Sequence, residues 1–204
     1  MSAISETIVR EYFELHGFFV RQQRKYIASA RPEDDAIDFF VLNPRSPVIA
    51  DESKSGEPLP FDLSSADLAG VARAVVMVKG WHTDTFSPGL LASAPEIFRF
   101  LEPAAFQQAA RAFGADGPVT KILVVPALPH GEEARRQSIE LLRAKGIDAV
   151  IPFRTVLADL IAQIEVNRNY QKSDLFQIIR ILKNYGFFKE PQLEFFKPAR
   201  RKRR

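Results

Sequence analysis

Asp38, Glu52 and Lys54 are the residues whose types and spacing could do chemistry. Asp38 lies in the apolar stretch AIDFFVLN (36–43), and Glu52 and Lys54 close the stretch VIADESK (48–54). If both stretches are strands joined by the turn PRSP, Glu52 and Lys54, two residues apart, share a face. Asp38 then comes close to that pair. Two carboxylates on a rigid sheet repel one another, and a divalent cation relieves the cost. Mg²⁺ suits such a place because it takes one or two carboxylates and completes its shell with water and substrate phosphate. The metal would polarise the phosphoryl oxygen and acidify a bound water. Lys54 would orient that water or stabilise the developing negative charge. Phosphodiester hydrolysis uses all three groups together. The plain alternative is an exposed cross-strand ion pair between Glu52 and Lys54, worth under ~1 kcal/mol.

These residues, in the order apolar-Asp, apolar strand, turn, apolar strand, Glu-x-Lys, resemble the motif of the PD-(D/E)XK nucleases, the restriction-endonuclease-like fold. The resemblance covers roughly residues 5–130. It implies Asp38 and Glu52 as ligands of Mg²⁺ or Mn²⁺, the backbone carbonyl of Ser53 assisting, and Lys54 as the catalytic lysine. It also implies a glutamate on the first helix, for which Glu6 stands at the right place, with Glu11 and Glu14 on the same helix. Ile37 occupies the position where the motif's name has proline. Asp51 precedes Glu52 and faces the other side of the strand, so the ligand assignment shifts by one if Asp51 binds instead. The stretch VVMVKGWH (75–82) repeats the strand motif with Met77 in the acidic place. An apolar methionine does not bind Mg²⁺, and Lys79 is read there as a solvated lysine at a helix end.

Positioning these groups takes a defined set of elements. SETIVREYFELHG reads as a helix, with Ser5 as cap, Ile8, Tyr12 and Leu15 at helical spacing and Gly17 as stop. FFVRQQRKYI (18–27) is rich in aromatic and β-branched residues and reads as a strand. With 36–43 and 48–54 it forms an antiparallel meander. Residues 64–80 fit a strand through Val75, Val76 and Val78, and a helical face through Leu68, Val71, Ala72, Val75 and Val78; the helix is favoured. One or two helices broken near Pro103 follow. KILVVPAL (121–128) is an apolar run suited to a strand covered on both faces, then come a helix, a strand at IDAVIPF and a further helix. The expected fold is α/β, a restriction-endonuclease-like mixed sheet of antiparallel meander plus parallel strands, flanked by helices. Its domain is expected over 1–166, with a helical insertion at about 81–118 and a C-terminal helical extension over 167–196. In that extension, Ser173 caps and Gly186 stops an amphipathic helix.

Charge is distributed unevenly. The formal net charge is +3, yet six of the 28 basic residues lie in KPARRKRR (197–204), and the remaining 22 face 25 acidic ones, a body of −3. A terminal block of one sign tends to stay disordered and binds polyanions in a salt-sensitive way, or is simply a solvated tail. DNA is the expected partner, through Arg24 and Lys25 on the first strand and Arg200, Arg201, Lys202 and Arg203 in the tail. An exposed strand face explains Arg24 and Lys25 equally well. Trp81-His82 is read as aromatic packing at a helix end. Phe187, Phe188, Phe195 and Phe196 pack the last helix or stack on bases. There is no cysteine, which excludes disulfides and thiolate metal sites. No glycine-rich nucleotide loop and no G-x-S-x-G elbow is present. No segment reaches the ~20 apolar residues of a membrane span, and the N-terminus MSAISETIVREYF lacks a leader's pattern. The chain reads as cytoplasmic. Two further expectations stand beside hydrolysis: a catalytically inactive nucleic-acid-binding module on the same fold, motivated by the −3 body, and an assembly protein dimerising through helix 173–185.

Overall fold

The structure, a computed structural model, describes residues 3–22, 37–46, 59–113 and 118–188. The chain divides into two compact units, 1–159 and 160–204.

In the first unit, helix α1 (Ala3–Leu15) buries Val9, Tyr12 and Phe13 at helical spacing. Ser5, expected as its cap, lies inside the helix, because the helix begins two residues earlier. Gly17, at φ +82, ends it: Phe18 N donates to Phe13 O and Gly17 N to Glu14 O. This double closure needs a left-handed residue, which glycine supplies without Cβ strain. Phe18 then folds back edge-on to Phe13, ring centroids 5.3 Å apart.

The described strands form one five-stranded mixed sheet in chain order: β1 (Phe19–Gln22), β2 (Phe39–Leu42), β3 (Arg73–Val78), β4 (Thr120–Val125) and β5 (Ala149–Pro152). The pairings β1–β2 and β2–β3 are antiparallel, whereas β3–β4 and β4–β5 are parallel. The expected α/β class with antiparallel and parallel portions is therefore present. The helix favoured over 64–80 is not. A 3₁₀ turn spans Ser65–Gly70, and β3 follows. The reason is tertiary. β3 is the middle strand, paired on both edges and covered on both faces, so it reads as an unbroken apolar run that mimics a helical stripe.

One face of the sheet carries Phe40, Val75, Met77, Leu123, Val125 and Val150. They pack with Leu91 of α2 (Pro88–Ser93), Ile97 and Phe100 of a 3₁₀ segment (Pro95–Leu101), Ala105 of α3 (Pro103–Phe113) and Leu142 of α4 (Glu132–Ala144). The alternate residues Phe39, Val41, Val76 and Val78 are buried on the opposite side, and α1 lies against β1 and β3. Helix α5 (Phe153–Gln163) follows β5.

The second unit contains α6 (Asp174–Asn184). Ser173 Oγ accepts from Phe176 N at 3.1 Å as the N-cap, and Gly186 has φ +74 just past the end. Both boundary residues match their expected roles. Lys183 Nζ donates to the carbonyls of Ile161 and Ile164, and Arg180 Nε to that of Val166. Among the described residues no helix is long and apolar enough to cross a membrane.

Candidate functional site

Asp38 stands immediately before β2, and its backbone N–H donates to Val76 O of β3. Only 1% exposed, its carboxylate Oδ2 accepts the Val78 N–H at 2.8 Å. A polar group this deep is costly unless hydrogen-bonded, and here the neighbouring strand's backbone donates to it. Asp38 is thus fixed to the end of the β2–β3 ladder.

On its β3 side Asp38 lies just outside the ladder, whose end pair is Phe39–Val76: its N–H goes to Val76 O and its carboxylate to the Val78 N–H, with Met77 between these two residues in sequence. Met77 is 2% exposed and belongs to the apolar cluster with Phe40 and Leu123. Lys79, two residues on, is 6% exposed. It is not the solvated helix-end lysine expected from the sequence. Its backbone N–H continues the sheet by donating to Val124 O, and its Nζ donates to Glu96 O at 3.4 Å and lies 5.8 Å from the Trp81 ring centre. Trp81 and His82 pack at a strand end rather than a helix end: Trp81 lies against Phe86, and His82 edge-on to Phe153.

Helix α1 closes the same end of the sheet. Glu6, 8% exposed, accepts from Gln22 Nε2 of β1 at 3.2 Å, and Gln22 pairs with Phe39, next to Asp38. Ser5 Oγ and His82 Nε2 are 2.9 Å apart. Gly80 lets α1 approach, since a Cβ there would stand 2.7 Å from Ser5 Oγ. Glu6, Asp38 and Lys79, all buried, therefore reach the same end of the sheet from three different elements, Glu6 on the α1 face and Lys79 on the opposite one.

Glu52, Ser53 and Lys54, with Asp51, lie outside the described residues, as do Arg24, Lys25 and the tail residues Arg200, Arg201, Lys202 and Arg203. Of the expected metal and catalytic set, only Asp38 and Glu6 are described, and both sit at this end. Met77, between the two β3 residues that Asp38 contacts, is a thioether and a soft ligand, and one Asp38 oxygen accepts from the Val78 amide. Among the described residues no three His, Asp or Glu side chains gather to hold a metal. The signal for Lys79 was legible in VVMVKGWH, whose motif-like spacing lies on the strand that pairs with β2.

No family model, no curated protein and no solved structure matches the chain. What the site does is therefore read from its own side chains.

Proposed function

We propose that the chain is a nucleic-acid-binding module of nuclease-like design, with DNA as partner, that does not hydrolyse its ligand at the Asp38 end. The observation that supports this reading is the β3 stretch that Asp38 contacts, Val76–Val78, which offers Met77 and no carboxylate where phosphodiester hydrolysis would need a second hard ligand. Lys79 lies at that end, with its Nζ near Glu96 O and the Trp81 ring. The basic block 197–204 supplies six positive charges for phosphate contacts.

The test uses the full chain with plasmid, single-stranded and branched DNA, with and without Mg²⁺ or Mn²⁺. Binding without metal-dependent cleavage is expected. Cleavage lost in both Glu52→Ala and Lys54→Ala would overturn the reading and restore the hydrolase, with residues 51–54 completing the site. Cleavage that Asp38→Ala, Glu52→Ala and Lys54→Ala all retain would place the chemistry elsewhere.

Pairing of two copies through α6 is a second reading. It is favoured by Ile178, Ile181 and Tyr185, which recur at helical spacing and are all exposed. A monomer by light scattering at high concentration would remove it.

A further inference from the structure

At the other end of β2, away from Asp38, a cavity of about 330 Å³ is lined by His16, Phe18, Asn43, Arg45, Ser65 and Leu68, with Ala69 beside them. Its polar wall is built by local rules. Asn43 follows β2 and opens the turn Asn43–Ser46, where Ser46 N donates to Asn43 O and Arg45 N donates to Asn43 Oδ1. With Oδ1 taken by that amide, the Asn43 side-chain nitrogen is the atom left to donate. Asn43 is 5% exposed, and this nitrogen has no partner among the described residues.

Arg45 reaches back over the end of α1. Its Nη2 donates to His16 O at 3.0 Å, and its guanidinium lies where a Cβ on Gly17 would stand, 1.9 Å from Nη2. No carboxylate among the described residues pairs with Arg45. Two carboxylates near this wall have partners of their own, one of them the lining residue His16. Asp159 Oδ2 is 2.7 Å from His16 Nε2, and Asp67 Oδ2 accepts from Ser64 N and Ser64 Oγ. Ser65 Oγ, 3.2 Å from Tyr12 Oη, adds a hydroxyl. Phe18, Leu68 and Ala69 give the remaining wall an apolar surface.

A guanidinium without a carboxylate partner among the described residues, an amide donor without an acceptor among them and a hydroxyl, set against an apolar floor, make a receptor for an anion carried on an apolar body. We propose that this cavity binds a small organic oxyanion, a carboxylate or phosphate monoester, with its charged head on Arg45 and Asn43 and its apolar body on Phe18 and Leu68. The site is separate from the Asp38 end, so its failure leaves the DNA reading untouched.

The test is an NMR titration of the full chain with benzoate, a 5′-mononucleotide and inorganic phosphate, repeated on Arg45→Gln. Arg45 is exposed, so the variant should fold, and an unchanged melting temperature checks this. Saturable shifts at the Asn43 and Ser65 amides are expected with benzoate or the mononucleotide, and whichever binds identifies the head group. Arg45→Gln should weaken that binding about tenfold or more, as expected for loss of a charge-assisted hydrogen bond. The proposal falls if neither organic anion binds at millimolar concentration, if Arg45→Gln binds as wild type does, or if inorganic phosphate binds as tightly as both.

Discussion

Buried polar groups set the terms at the scale of single residues. Asp38 tolerates its depth because the Val78 amide donates to it, so removing its carboxylate strands a backbone donor as well as a candidate ligand. An activity change in Asp38→Ala therefore needs a stability measurement beside it. Tyr12 presents the same physics with a clean readout. Burial pushes its phenol up to about 12, against a lowering contribution from the hydrogen bond with Ser65 and small raising ones from Asp159 and Asp67. The folded value lies above the unfolded one, so the unfolded chain loses this proton first as pH rises. Stability present below about pH 10 should be lost between about pH 10 and 12, by roughly 2–3 kcal/mol. Urea midpoints across that window should fall less for Tyr12→Phe than for wild type. Parallel falls would mean that another group governs the alkaline transition.

Helix α1 shows how one element serves two places. Its first turns bring Ser5 and Glu6 to Gly80 and Gln22 at the Asp38 end, and its last residues bring His16 to the cavity at the other. Gly17 joins these roles, because it ends the helix in the left-handed region and leaves room for the Arg45 guanidinium. Gly17→Ala should cost about 1–2 kcal/mol from backbone conformation alone. It should also displace Arg45 and weaken anion binding in the cavity, which a denaturant melt and the titration above would measure separately. A variant with wild-type stability and affinity would contradict both roles. Strand β3 carries the other lesson at this scale. Its valines satisfy a helical stripe on paper, yet pairing to β2 and β4 along both edges makes it the centre of the sheet.

Charge belongs to the whole molecule. The body is −3 and the six positive charges of 197–204 turn the total to +3, so long-range attraction to a polyanion should reside mainly in that block. Deleting 197–204 should flatten the salt dependence of DNA binding, with the slope of log K against log salt for duplex falling by up to about 5. Fluorescence anisotropy over a salt series measures this. An unchanged slope would assign the phosphate contacts to the body instead.

The sequence alone determined the α/β class, the ends of several helices and one half of the candidate site. Gly17 and Gly186 stop helices and Ser173 caps one because these are local conformational preferences, readable without the rest of the chain. Asp38 stood out as an acid inside an apolar strand, which is likewise a local feature. Which strand lies beside Asp38 was decided only by the tertiary structure. Two stretches, VIADESK and VVMVKGWH, carry the same spacing, and the described pairing of β2 goes to the second. Burial on both faces erased the alternation that would have marked β3 as a strand and hid Lys79 beneath Trp81 and Glu96. The cavity had no motif at all. Its residues come from a helix end, a turn and a 3₁₀ segment far apart in the chain, and only folding brings His16, Asn43, Arg45 and Ser65 to one wall.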